Sequence, residues 1–317
     1  MKQAIALVFV LLSGITSAQF DGPADTPGSL AIYRDSSIIT GWATSCTVVR
    51  GPQDISNASS PLADYGIESN AIGPATITDV VSLGDGGSAT VTFAQPIQDV
   101  PGPDFAVFEN SVIGGFLELA FVEVSSNGLD FYRFPATSNT PNDAQVGPFD
   151  TWIEAERLHN LAGKYLAGYG VPFDLAELDS ITVLDISAIT HVRIVDAVGS
   201  IDSSWGTYDR NGNPVNDPFP TAFPSGGFDL DGIAVLNPLS NIEMESLVPI
   251  SFYPNPAMAG EWIHLQHSPD QLTIYDALGR TPTYECASGK IRIDSSGVFF
   301  ARFQFGSRQS VQRIIVE

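Results

Sequence analysis

Basic residues are scarce in this chain, and their scarcity excludes several classes of function. The 317 residues include 14 lysines and arginines against 36 acidic residues, with only four histidines and two cysteines. A surface this acidic repels nucleic acid and anionic lipid. No zinc-site or C-x-x-C cysteine spacing occurs, and neither does an H-E-x-x-H, G-x-S-x-G or P-loop pattern. The sequence therefore predicts no nucleic-acid partner and none of these familiar enzyme classes.

Long apolar runs are missing beyond the first residues. Met1-Lys2 precedes an apolar stretch over residues 4–12, and small side chains lie at positions −3 and −1 of a cut between Ala18 and Gln19. The stretch is too short to span a bilayer comfortably, and polar sequence follows it at once. We therefore expect a cleaved signal peptide over residues 1–18 and no transmembrane segment in the mature chain.

The charge changes abruptly along the chain. Residues 19–247 hold 30 acidic and seven basic residues, whereas residues 248–317 hold six of each. A step of this kind marks a domain boundary. We predict an acidic domain over 19–238, a linker over 239–247 and a neutral domain over 248–317. Cys46 and Cys286 fall in different domains, so we expect two unpaired, buried thiols.

Turn residues are frequent, with 29 glycines and 22 prolines, while runs of helical period are scarce. Short alternating segments between turns predict an all-β fold: a jelly-roll-like β-sandwich followed by a small Ig-like β-sandwich. Over residues 117–125, odd-numbered and even-numbered side chains should occupy opposite faces of a strand. Asn127-Gly128 after it predicts a type I′ hairpin turn that returns along 131–134. Residues 153–165 are the best helix candidate.

Four marks stand out in the neutral domain. They are the box Tyr253, Pro254, Asn255 and Pro256, a strand and turn from Ile274 to Gly279 and Arg280, a Gly-aromatic strand from Gly297, and a basic then apolar terminus over 313–317. Together they resemble the type A sorting domain of the type IX secretion system, although Asp294-Ser295-Ser296 replaces the usual Leu-Pro. The resemblance implies the type IX secretion machinery as a partner. It also implies that the protein is secreted, reaching the outer surface of a Gram-negative bacterium.

The acidic domain carries a second set of marks. Among them are Leu83-Gly-Asp-Gly-Gly-Ser88, Pro101-Gly-Pro-Asp-Phe105, Val107-Phe-Glu-Asn110, Glu118 to Ser126 and Gly226 to Gly232. Residues 60–237 resemble a family of bacterial cell-surface β-sandwich domains of unassigned function. The general look is that of discoidin-like and carbohydrate-binding jelly rolls, and such a fold does not by itself give a function.

Acidic residues beside glycines at strand ends predict a cation site. Buried carboxylates need partners or a metal, and calcium prefers carboxylate and carbonyl oxygens. The first candidate ligand set is Asp85, Asp104, Glu109, Asp229 and Asp231. The second set, Asp209, Asn211 and Asn213, begins like an EF-hand loop but lacks its glycine and glutamate positions, so an exposed Asx-rich turn is the alternative. The predicted cofactor is structural calcium.

Aromatic residues in polar, turn-rich segments are candidate sugar contacts. These are Trp42, Trp152, Trp205 and Tyr208, and the alternative is that each packs against an edge of the sandwich. The predicted function is a non-enzymatic, calcium-stabilised binding module for a glycan or surface polymer. Two alternatives remain open. One is a carbohydrate-active hydrolase or lyase with two acids within about 10 Å across a cleft; the other is a structural or adhesive surface protein.

Overall fold

The structure is a computed structural model that describes residues 20–236, 252–266, 268–276, 280–305 and 308–317. The chain divides into two compact units, Met1–Ser240 and Asn241–Glu317. The predicted signal peptide and linker lie outside the described residues. Over the described ranges, the chain forms no helix that is long and apolar enough to span a membrane.

The first unit is built from short strands. In chain order they are β1 (Ile32–Tyr33), β2 (Ile39–Trp42), β3 (Ser45–Val49), β4 (Val81–Ser82), β5 (Ser88–Ile97), β6 (Phe105–Glu109), β7 (Ala120–Ser125), β8 (Tyr132–Arg133), β9 (Thr137–Ser138), β10 (Leu158–His159), β11 (Leu161–Ala162), β12 (Tyr169–Phe173), β13 (Ile189–Asp196) and β14 (Asp229–Leu236). Three single 3-10 turns cover Glu68–Ala71, Ala155–Arg157 and Leu175–Leu178.

Two antiparallel sheets form the first unit. One has the order β1-β12-β6-β14-β2, with β4 also paired to β14. The other has the order β11-β7-β13-β5-β3, with β8 paired to β7, and β9 pairs separately with β10. Side chains from both sheets share one buried core, including Val107 and Ile233 from the first sheet and Val122 and Ile194 from the second. This arrangement confirms the predicted all-β sandwich class.

Strand β7 shows why the sequence folds in this way. Its even-numbered residues Ala120, Val122 and Val124 enter the core between the sheets. Leu119 and Phe121 enter a second buried cluster on the other side. The predicted alternation of faces is therefore confirmed, and β7 is buried on both faces because both are covered.

The hairpin after β7 is confirmed, but its predicted turn type is wrong. Glu123 pairs with Arg133 across β7 and β8. Within the described chain, the non-glycine residues with positive φ do not include Asn127, whereas a type I′ turn needs positive φ at both central residues. Instead, the Asn127 Oδ1 accepts hydrogen bonds from the backbone of Leu129 and Asp130, which closes a longer loop.

The helix predicted over residues 153–165 is wrong. The segment contains one 3-10 turn and then β10 and β11. Asn160 and Gly163 have φ of 51° and 86°, in the left-handed region that a right-handed helix cannot include. A Cβ at Gly163 would also lie 1.9 Å from the Glu118 carbonyl oxygen. Gly163 is therefore required here, because the Cβ of any other residue would clash with the backbone just before β7.

The second unit is a smaller sandwich. Its strands are β15 (Phe252–Tyr253), β16 (Trp262–Leu265), β17 (Gln271–Asp276), β18 (Tyr284–Ala287), β19 (Lys290–Ile293), β20 (Gly297–Phe305) and β21 (Arg308–Val316). They form the sheets β15-β16-β19-β18 and β17-β20-β21 around a core that includes Ile263, Ile274 and Ile314. Cys286 is exposed here, contrary to the expected burial, whereas Cys46 is buried in the first unit; both thiols are free.

Two of the sorting-domain marks contact each other in this unit. The Asn255 side chain donates to the Arg313 carbonyl at 3.0 Å and accepts from the Ile315 amide at 2.8 Å. The box is thereby hydrogen-bonded to the final strand. Arg280 pairs with Asp276 at 2.7 Å, whereas Gly279 lies outside the described residues.

Candidate functional site

An open cleft of about 630 Å³ lies in the first unit, where β6 ends and β7 and β14 begin. This volume is within the range of about 300–1,000 Å³ that is typical of small-ligand sites. The lining residues fall into three groups. The acids are Glu118 and Asp229; the neutral polar residues are Asn110, Ser111, Thr78, Thr151, Thr221 and Ser225; the apolar and aromatic residues include Tyr65, Ile113, Phe116, Phe149 and Phe223.

Glu118 lines the cleft and is held there by its neighbours in the segment just before β7. The Leu119 amide donates to the Asp217 carboxylate at 2.7 Å, and the Leu119 carbonyl accepts from Ala197 at 3.0 Å. Leu117 and Leu119 lie in the same buried cluster, whereas Glu118 between them lines the cleft. The backbone on both sides of the acid is therefore fixed.

The carboxyl group of Glu118 is unusual among the buried acids. Glu118 is 9% exposed, and over residues 20–236 no hydrogen bond reaches its carboxyl group. Burial raises its pKa well above the usual range, and the charges of Asp229 and Glu109 raise it further. The Glu118 oxygens are not among the fully buried side-chain atoms that lack a hydrogen-bond partner in the described structure, so they face the open cleft. The hydrogen bonds of the fold do not account for a glutamate at this position.

Asp229 is the second acid of the cleft. It begins β14, pairs with Ser82 of β4 and accepts a hydrogen bond from the Ser82 hydroxyl. Burial raises the pKa of Asp229 to about 7, although hydrogen bonds from Ser82 and Asn110 and the charge of Arg50 oppose the shift. Asp229 is therefore partly compensated, whereas Glu118 is not.

Glu109, at the end of β6, adds charge beside these two acids. Its carboxylate accepts from the Ser111 amide at 2.7 Å. Burial raises the pKa of Glu109 well above the usual range, and the charge of Asp229 contributes to this shift. Glu109 does not line the cleft, but its charge raises the pKa of Glu118, and such groups of interacting acids are typical of ligand-binding and catalytic sites.

Aromatic residues stand on the exposed side of the cleft. Phe149 and Phe223 have ring centroids 5.5 Å apart and are 74% and 39% exposed. Gly115 brings the loop of Ile113 and Phe116 against Thr151, since a Cβ at its position would lie 2.1 Å from the Thr151 carbonyl oxygen. The cleft therefore combines apolar faces with buried acids.

Comparison with family models, with curated proteins and with solved structures finds no match to this chain. The two family resemblances stay predictions, and the geometry of the cleft is the basis for the proposed function.

The first predicted metal set is not brought together. Asp85 accepts from Ile55 at 2.8 Å, and Asp231 accepts from Thr76 and Ile77 at 2.8 and 2.9 Å. Leu230 pairs with Glu109 and Gly232 with Phe108, so Asp231 is the extra residue of a β-bulge. The bulge breaks the alternation on which the shared site of Asp229 and Asp231 was based.

Asp104 lies in a different acidic group. It is the one predicted ligand found in a group of three carboxylates, with Asp99 and Asp174, whose oxygens lie within 4.8 Å of one another. Its two oxygens already accept from the amides of Val100 and Leu175, both at 2.8 Å. Burial raises the pKa of Asp104 to about 7, and the charges of Asp174 and Asp99 add to this. Asp104 thus lies with two acids that were not predicted as ligands, and not with the other members of its predicted set.

The second predicted metal set forms a turn. One Asp209 oxygen accepts from the amides of Asn211 and Asn213 at 2.8 and 2.9 Å, and the other accepts from Ser138 at 3.1 Å. Asn211 and Asn213 are exposed. The carboxylate is thus used within the turn, which is the arrangement of the Asx-rich alternative.

The predicted aromatic contacts are separate from the cleft lining. Trp42 packs on Phe108 at 5.3 Å, an edge-packing role. Trp152 lines a second opening of about 530 Å³ beside Lys164 and Tyr165. Trp205 and Tyr208 are 40% and 42% exposed in the turns before and around Asp209. None of the four is among the residues that line the 630 Å³ cleft.

Sequence reasoning missed Glu118, Phe149 and Phe223. A signal for Glu118 was present, because its even number places it on the same strand face as Ala120 and Val122, which enter the core. A charged residue on a core face is a reason to suspect function. No comparable signal marked the two phenylalanines, which lie in loops far apart in the chain.

Proposed function

We propose that the chain is an exported cell-surface protein whose first unit binds a glycan or surface polymer without modifying it. The observation that carries this proposal is the cleft, whose lining includes both the Glu118 carboxyl and the aromatic pair Phe149 and Phe223. Aromatic faces stack on sugar rings, and the surrounding hydroxyl and amide groups suit a polyol.

Export is the second part of the proposal. The second unit is compact on its own, and the contact between Asn255 and the final strand supports the reading of the marks as one sorting domain. Deleting residues 248–317 should leave the protein in the periplasm. Unchanged arrival at the surface would contradict this part alone.

Glycan binding by the mature chain, residues 19–317, tests the first part. On a glycan array, Phe149→Ala/Phe223→Ala should weaken binding at least tenfold, about 1.4 kcal/mol, because both stacking faces are lost. The double variant Trp152→Ala/Trp205→Ala is the matched control, since neither tryptophan lines the cleft. Equal loss in both variants, or no binding by the wild type, would sink the proposal.

A carbohydrate-active hydrolase is the second candidate. It is favoured by one observation, which is that Glu118 and Asp229 share the cleft and that each has a raised pKa, as a general acid requires. New reducing ends released from a bound polysaccharide, and lost in Glu118→Gln, would favour hydrolysis over simple binding.

Calcium stays a prediction, and we propose that Asp104, one of its predicted ligands, binds the ion together with Asp99 and Asp174, which were not predicted. If an ion binds there, millimolar calcium should raise the thermal midpoint of the wild type but not that of Asp99→Asn/Asp174→Asn. Equal midpoints for the wild type in calcium and in chelator would count against a structural ion.

A further inference from the structure

The cleft is lined by acids and has no base in its lining to balance them. Its lining includes Glu118 and Asp229 but no lysine, arginine or histidine. Arg50 is the one base whose charge lowers the pKa of Asp229, and its guanidinium already donates to the carbonyl oxygens of Tyr65, Ser82 and Gly66. An anionic ligand would be repelled from this opening, and a cationic group would be attracted.

The Glu118 carboxyl needs a donor that the described part of the protein does not supply. It is buried, it lines the cleft and no hydrogen bond reaches it over residues 20–236. Its charged neighbours are all acids, namely Asp229, Glu109, Asp217 and Asp196. Of these, Asp196 accepts from Gly86 and Phe228, and Asp217 accepts from Leu119, so their roles are structural. Glu118 is left to receive a donor from a ligand.

An organic cation fits better than a metal ion. Among the described residues, the group of three acids whose oxygens lie within 4.8 Å of one another is Asp99, Asp104 and Asp174. The acids of the cleft do not belong to such a group. The aromatic residues Tyr65, Phe116, Phe149 and Phe223 line the same cleft. Aromatic faces attract ammonium groups, and carboxylates accept their N–H donors in charge-assisted hydrogen bonds.

We propose that the cleft recognises a glycan through a free amino group, that is, an unacetylated amino sugar whose ammonium group donates to Glu118 and Asp229. The sugar hydroxyls meet the polar lining of Ser111, Thr151 and Thr221, and the ring stacks on Phe149 and Phe223. This inference rests on the proposed glycan-binding function and names its ligand class. The polar lining favours an amino sugar over a lysine side chain, whose stem offers no hydroxyl groups.

Calorimetry on the mature chain at pH 7 tests the inference with two matched ligands. These are a β-1,4-linked glucosamine tetramer and the same tetramer fully N-acetylated. The wild type should bind the glucosamine tetramer at least tenfold more tightly, because acetylation removes the cation. Glu118→Gln keeps the side-chain shape and should lower the ratio of the two affinities by about tenfold or more.

Asp130→Asn is the control for loss of charge. Asp130 is exposed in the loop beyond the far end of β7, about 20 Å along the strand direction from Glu118. This variant should keep the full preference. Circular dichroism should show that both variants fold.

The outcomes separate the two proposals. Equal affinity for the two tetramers, or tighter binding of the acetylated one, overturns the amino-group inference and leaves glycan binding intact. Tighter binding of a lysine tetrapeptide than of the glucosamine tetramer also overturns the inference. Binding of no glycan at all overturns the proposed function and this inference with it.

Discussion

Asp21→Ala is expected to lower the free energy of unfolding by about 3–5 kcal/mol, since it leaves a buried lysine without its partner. The Lys164 ammonium lies 2.5 Å from the Asp21 carboxylate, and the Lys164 side chain is 2% exposed. The Tyr165 hydroxyl donates to the other Asp21 oxygen. Burial alone would raise the pKa of Asp21, but the hydrogen bonds from Lys164 and Tyr165 and the lysine charge lower it below its usual value.

The ion pair of Asp21 and Lys164 holds the start of the described chain, together with two contacts of the neighbouring Phe20. Phe20 stacks on His159 at 4.9 Å, and its amide donates to the Glu156 carbonyl at 2.8 Å.

Urea unfolding followed by fluorescence measures the loss in free energy of unfolding caused by Asp21→Ala. Asp35→Ala is the matched control, because the Asp35 side chain is 71% exposed and pairs only with Arg34, at 3.8 Å, in the described structure; it should cost less than about 1 kcal/mol. The double variant Asp21→Ala/Lys164→Met should recover much of the loss. If Asp21→Ala costs no more than Asp35→Ala, the buried pair does not hold this segment.

The wild type is expected to be less stable at pH 8 than at pH 5. Burial raises the pKa of Asp196 and of Asp229 to about 7 from 3.8. A raised folded-state pKa gives stability that is complete below pH 3.8 and is lost as the pH rises through about 7. One such carboxyl loses about 3 kcal/mol between pH 5 and pH 8.

Thermal unfolding at the two pH values checks this prediction. A loss of about 3 kcal/mol corresponds to a midpoint about 6–12 °C lower at pH 8. Asp21 does not contribute to the difference in midpoint between pH 5 and pH 8, because its lowered pKa affects stability only as the pH falls below 3.8. A midpoint that rises from pH 5 to pH 8 would show that these acids are not buried as the structure places them.

The sequence was sufficient for the fold class because buried and partly exposed side chains alternate along longer strands such as β5 and β13. In β7, the pattern of residues 119–124 gave the correct face for each side chain. It failed where the backbone departs from regular geometry, as at the bulge at Asp231 and at the left-handed residues Asn160 and Gly163. These local features override a periodic pattern, and no composition signal marks them.

The cleft was harder to predict because its parts are distant in sequence. Strand pairing brings Asp229 beside Glu109, and the packing of loops brings Phe149 to Phe223. The sequence could name acidic residues as candidate ligands, but the hydrogen-bond donors around each acid in the fold decide its role. Asp209 and Asp231 have backbone donors, whereas Glu118 has no hydrogen-bond donor in the described chain. Only contacts in three dimensions separate a structural acid from one left open for a ligand.

The most direct test of the cleft is the thermal midpoint of Glu118→Gln at pH 8, measured beside the wild type. If the fold keeps a costly acid there for a ligand, removing its charge should raise the midpoint by about 2–10 °C, with a smaller gain at pH 5. The same variant should lose glycan affinity. A lower midpoint at both pH values, with binding unchanged, would show that Glu118 is a structural residue and would contradict the account.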